Sequence, residues 1–241
     1  QRILGRVTVQ NTCQPPAPEQ ALSPTTMKPI GTVSPRFQSY NIEMVEVTGG
    51  RFWKPYVSRP GAAMAPATKL PPGTDTSRYE YRAPIDLTNA RLRRLAAALG
   101  PAYVRVSGTW ANATWFDADN RNPATPPTGF NTILAPQQWR NVIDFAAATE
   151  GAIVTSFAVS TGARDADGVW TSALAQRWLD FTRASGGHIA ATEFANEPNA
   201  LKLTNPPANY DATRYGQDFD RFQRWIKSAS PQTLVLAPGT V

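Results

Sequence analysis

The chain has 241 residues, with 24 Lys and Arg against 18 Asp and Glu and a formal net charge of +6 at pH 7. That length admits one large domain or two small ones, and the basic balance favours an acidic partner. The absence of any run of about eighteen apolar residues excludes a membrane-spanning helix, the single Cys13 excludes an internal disulfide, and no nucleic-acid-binding motif is present; a sulfated or uronic polysaccharide suits the charge as well as nucleic acid does.

Residues 1–35 contain one strand-like run, RILGRVTVQ, and then a proline-rich stretch, and are expected to stand apart as an N-terminal segment. From 36 to 241 strands and helices alternate. FQSYNIEMVEV (37–47) reads as the first strand. Arg51, Phe52, Trp53 and Tyr56 then offer a cluster suited either to stacking on a sugar ring or to covering a barrel mouth, and the Pro/Gly/Ala-rich stretch 58–84 is expected to be a long loop. The first helix is expected over 88–99, capped by Thr88, with Leu92, Leu95 and Leu99 on one face and Gly100-Pro101 as its stop. AYVRVSG (102–108) is the second strand, and a helix over 136–149 opens at Pro136 and carries Trp139, Val142, Ile143 and Ala146 at helical spacing. The third strand, AIVTSFAVS (152–160), leads into a loop whose Arg164 is placed to reach a sulfate or carboxylate of a substrate. A helix through Leu174, Trp178 and Phe181, a fourth strand over 188–197, a helix from Asp211 through Tyr215, Phe222 and Ile226, and a fifth strand over 233–239 complete the series.

Alternation of this kind builds a parallel sheet. The expected fold is an α/β (β/α)8 TIM barrel to which this chain gives about the first five strands, so the remaining strands are expected from another polypeptide or the rest of a cut precursor. A flavodoxin-like open sheet competes, but no glycine-rich phosphate loop follows the first strand.

The fourth strand ends in Asn196-Glu197-Pro198. Proline disfavours the α region for the residue before it, so Glu197 is expected in extended backbone at the carboxyl end of a barrel strand, where barrel enzymes keep their chemistry. A carboxyl group there can serve as a glycosidase acid/base, with Asn196 beside it to bond a sugar hydroxyl. Glu193 lies four residues earlier, about 13 Å along an extended strand, too far to be the partner carboxylate of a retaining enzyme. Other candidates fail on pattern. The stretch from Asp117 to Arg121 opens like a calcium loop but has Asn122 at the glycine position and Thr128 at the bidentate position. His188 stands alone at the strand's far end, and neither a metal nor a cofactor is implied.

Three segments together resemble the heparanases and β-glucuronidases of glycoside hydrolase family 79: LAAALGPAYVRVSGTW (95–110), TEFANEPNALK (192–202) and YGQDFDRFQRWIKSASPQTLVLAPG (215–239), with TVSPRFQSYNIEMVEV (32–47) similar to the family's first strand. The resemblance implies a retaining hydrolase of glucuronic acid linkages. It carries the proton donor onto Glu197, sugar contacts onto Asn196 and Thr109, and an acidic substrate contact onto Glu43, where a glutamate in place of aspartate suggests a bacterial-type member. It also implies that residues 1–35 donate a strand to an accessory β-sandwich and that the nucleophile glutamate lies on a later strand brought by the completing polypeptide. The expected substrate is heparan sulfate or heparin cut internally. An exo-β-glucuronidase, a hyaluronidase, and a non-catalytic barrel that binds acidic glycans stay open. The start at Gln1, without methionine, suggests a removed signal peptide and a secreted or periplasmic protein.

Overall fold

The computed structural model describes residues 23–54, 78–236 and 238–240. The chain divides into two units, Gln1–Val33 and Ser34–Val241. The described part of the first holds a 3-10 turn, Pro24–Thr26, while Cys13 and the strand expected at RILGRVTVQ lie outside the described residues, as does most of the 58–84 stretch.

In the second unit the order is β1 (Ser39–Glu43), the short helix α1 (Met44–Thr48), β2 (Gly50–Trp53), β3 (Tyr79–Arg82), α2 (Ala90–Ala97), β4 (Tyr103–Ser107), β5 (Thr114–Phe116), β6 (Thr132–Leu134), α3 (Pro136–Ala148), β7 (Ala152–Phe157), α4 (Ala173–Ala184), β8 (Ile189–Phe194), α5 (Ala212–Ala229) and β9 (Leu234–Leu236). The protein is a mixed α/β structure around a five-stranded sheet of order β1-β4-β7-β8-β9, with every pairing parallel. Spatial order follows chain order, unlike the reversed order of a doubly wound sheet. Right-handed crossovers in such a series put all the helices on one side.

The strand registers show two unlike faces. Ile42, Val104, Val106, Ile153, Phe157 and Phe194 join Trp139, Phe145, Trp178, Phe222 and Ile226 of the helices in one apolar core. Aromatic rings dominate it: Trp178 meets Phe116, Trp139 and Phe157 at centroid distances of 5.6, 4.9 and 5.4 Å. Rings of that size exclude water over a large area and lock helix to sheet. The opposite face carries two rows. One runs Asn41, Arg105, Val154, Ala191, Leu234, and the next holds Glu43, Ser107, Ser156, Glu193 and Leu236. It is polar on its first strands, and Leu234 and Leu236 on β9 are 56% and 38% exposed.

Several expected boundaries move. The first strand stops at Glu43, where Met44, Val45 and Val47 turn into a buried helix and the Glu43 N–H donates to Glu46 Oε2 at 3.0 Å. Tertiary burial overrides the β preference of the two valines. The cap of α2 is Asn89, whose Oδ1 accepts the Arg91 and Leu92 N–H groups at 3.0 and 3.1 Å, while the Thr88 hydroxyl donates to Asp86 Oδ1 at 2.6 Å in the turn before it. Leu95 and Leu99 are 60% and 50% exposed. The end of the expected long loop is instead strand β3, paired antiparallel with β2.

Candidate functional site

The carboxyl ends of β1, β4 and β8 bring together residues far apart in sequence. Glu43 is the last residue of β1 and pairs in register with Ser107, the last of β4. Gly108 follows with φ 95°, and a Cβ there would lie 1.7 Å from Glu43 Oε2. Only glycine fits both the left-handed backbone and the carboxylate laid against it. Asn41 donates to Glu43 Oε1 at 2.8 Å. Burial, opposed in part by that bond, raises the pKa of Glu43 above the ordinary carboxylate range.

After β8 the chain makes a turn rather than the extended exit expected. Ala195 and Glu197 have φ of 64° and 47°, left-handed conformations that cost about 1–3 kcal/mol each for residues other than glycine. The expectation that Pro198 would hold Glu197 extended is thus corrected: local preference gives way to contacts made across the site. The Asn196 N–H donates to Asn112 Oδ1 at 2.8 Å and the Asn196 carbonyl accepts from Asn112 Nδ2 at 2.7 Å. Asn112 comes from the 3-10 turn Thr109–Ala113 that follows β4.

The side chains of the site form a directed chain of hydrogen bonds. Arg105 Nη2 donates to Asn196 Oδ1 at 2.8 Å, Asn196 Nδ2 to Thr109 Oγ1 at 3.4 Å, and Thr109 Oγ1 to Glu197 Oε2 at 3.5 Å. Arg105 also donates to Asn41 Oδ1 at 2.7 Å and pairs with Glu193. Glu193 accepts the Ser107 hydroxyl at 2.5 Å, so this carboxylate, 7% exposed, is committed within the row that holds Glu43 and Ser107. Tyr215 of α5 donates to the Phe194 carbonyl at 3.0 Å, and burial, with the nearby Glu193 charge, pushes its pKa up to about 12.

Four of the residues singled out from sequence therefore meet: Glu43, Thr109, Asn196 and Glu197. Arg164 does not join them. Its Nη1 pairs with Asp218 Oδ2 at 2.8 Å, with the two side chains 4% and 5% exposed, its Nε and Nη2 donate to the Val159 carbonyl, and it lies 5.0 Å from the Tyr210 ring. A buried carboxylate on α5 has captured the guanidinium expected to face substrate. Arg105, Ser107 and Asn112 were not anticipated; the polar side chains alternating inside AYVRVSG were the available signal for the first two. The β2–β3 hairpin reaches the site through Phe52, which meets Trp110, next to Thr109, edge to face at 5.3 Å, while Trp53 stacks on Tyr79 at 4.6 Å and is 48% exposed.

Asp117 and Asp119 are engaged elsewhere. Asp117 Oδ2 accepts the Asn122 N–H at 2.8 Å, Asp119 pairs with Arg121 and Arg177, which lower its pKa, and His188 is exposed at the amino end of β8. Among the described residues no group of three or more His, Cys, Asp or Glu is placed to hold a metal ion, and no helix is long and apolar enough to cross a membrane. No protein-family model matches the sequence, and a search of curated proteins finds no match.

Proposed function

We propose that this chain is the N-terminal part of a retaining glycoside hydrolase of the family 79 kind that cleaves β-glucuronic acid linkages, acting within heparan sulfate or heparin chains. The observation that carries the reading is the convergence of Glu43, Thr109, Asn196 and Glu197 at the carboxyl ends of three parallel strands. Glu197 protonates the glycosidic oxygen as the bond breaks and then takes a proton from the water that releases the sugar. Asn196 donates to a sugar hydroxyl, with Thr109 and Glu43 contributing further contacts. Uronic acid as the substrate class is drawn from the resemblance of the quoted segments and from the net charge of +6.

A retaining pathway needs a second carboxylate about 5–5.5 Å from the first. Glu193 is tied to Arg105 and Ser107, so we assign the nucleophile to a glutamate of the polypeptide that completes the sheet. That polypeptide closes a (β/α)8 barrel by pairing with the edges β1 and β9 and covers the face bearing Leu234 and Leu236. Residues 1–35 join an accessory β-sandwich, and the protein acts outside the cytoplasm, secreted or periplasmic, where such polysaccharides are found.

Glu197→Gln, purified together with the completing polypeptide, is expected to lose about 10²–10⁴-fold in kcat/KM on heparan sulfate, read as chain shortening by gel filtration, and less on a chromogenic β-glucuronide, whose leaving group needs little protonation. Wild-type material that cleaves neither substrate overturns the reading in favour of a barrel that binds acidic glycans without cutting them.

A further inference from the structure

Asn112 is 1% exposed and touches the site only through backbone. Both polar groups of its side chain are used on one residue, the Asn196 N–H and the Asn196 carbonyl, at 2.8 and 2.7 Å. Its own carbonyl accepts the Val159 and Ser160 N–H groups at 2.9 and 3.1 Å. A single residue thus joins the segments that follow β4, β7 and β8. Only a primary amide offers a donor and an acceptor side by side in this way; an aspartate lacks the donor and a serine cannot span both groups.

The residue it grips sits between Ala195 and Glu197, at φ 64° and 47°. Left-handed residues other than glycine persist where their surroundings over-determine them, and Pro198 favours the extended alternative for Glu197. Release of the grip lets Glu197 relax towards that alternative, and its carboxyl then leaves Thr109.

We propose that Asn112 is a positioning residue for Glu197, holding the Asn196 backbone so that the Glu197 carboxyl stays aimed at the leaving-group oxygen. The inference rests on the acid/base reading of Glu197. Its test compares two β-glucuronides on one preparation of the completed protein, a nitrophenyl glucuronide and an alkyl glucuronide, in wild type, Asn112→Asp, Asn112→Ala and Glu197→Gln. A poor alkyl leaving group depends on protonation far more than a nitrophenolate does. The ratio of the two kcat/KM values is independent of the fraction of protein that is folded.

The expected result is a further loss of about tenfold or more on the alkyl substrate than on the nitrophenyl one in both Asn112 variants, together with a displaced high-pH limb of kcat/KM. Equal losses on both substrates with an unmoved pH profile overturn the positioning role while leaving the acid/base role standing. Alkyl glucuronide cleavage by Glu197→Gln at the wild-type rate, or a wild type that cleaves neither substrate, removes the acid/base role itself and the positioning role with it.

Discussion

A buried and a half-buried carboxylate in this protein meet opposite fates, and the difference is the company each keeps. Asp218 is matched: Arg164 pairs with it at 2.8 Å and the Tyr210 hydroxyl donates to it at 3.0 Å, while burial and the Asp218 charge hold Tyr210 above its usual pKa range. Removal of one partner strands the other charge away from water, so Asp218→Ala is expected to cost about 3–5 kcal/mol, measured by urea unfolding of the chain. Glu43 accepts a bond from Asn41, but burial outweighs both that bond and the nearby Arg105 and raises its pKa above the ordinary value of 4.5. A carboxyl group whose folded-state pKa is raised binds more protons folded than unfolded over that window, so its contribution to stability is full below pH 4.5 and is lost as pH rises through the folded value. Glu43→Gln, which cannot ionise, is therefore expected to gain on wild type in unfolding free energy as pH is raised from acid to neutral; a difference that stays flat with pH would refute this account.

At the scale of elements, the helices are held by rings and caps of unequal weight. Trp178 of α4 is fully buried against Phe116, Trp139 and Phe157, and Trp178→Ala is expected to destabilise by about 3–5 kcal/mol through the cavity it leaves. Asn89→Ala removes two capping bonds from the exposed start of α2 and is expected to cost about 1 kcal/mol. Thermal unfolding of both variants checks the order. The helix of Leu92 and Leu95 was legible as a helix from its spacing, but its cap was not, since Asn89 and Thr88 are both good caps and only the folded turn, in which Asn89 Oδ1 reaches the Arg91 and Leu92 N–H groups, decides between them. The turn after Glu43 was illegible for a related reason: Met44-Val45 is as good a strand as a helix, and burial of α1 chooses.

For the whole molecule, the sheet leaves β1 and β9 at its edges. Beside β1, Leu92, Leu95, Leu99, Ile85 and Phe145 border an open groove of about 520 Å³, and Leu234 and Leu236 stand exposed on β9. Parallel sheets are found with both faces covered. Under the completed-barrel reading, Leu236→Asp is expected to leave unfolding of the isolated chain within about 0.5 kcal/mol of wild type and to weaken capture of the completing polypeptide, measured by co-purification of the two. Equal capture by the variant would place the partner elsewhere.

By itself the sequence determined the alternation of strands and helices, the apolar stripe of each helix and the position of Glu197 just beyond a strand, because these follow from residue periodicity and from proline and glycine as local punctuation. Only the tertiary structure decided how Glu197 is held, that Arg105 and Asn112 support Asn196, and that Arg164 pairs with Asp218. Each of those depends on which groups from distant strands arrive within hydrogen-bond reach, and spacing along the chain carries no record of that.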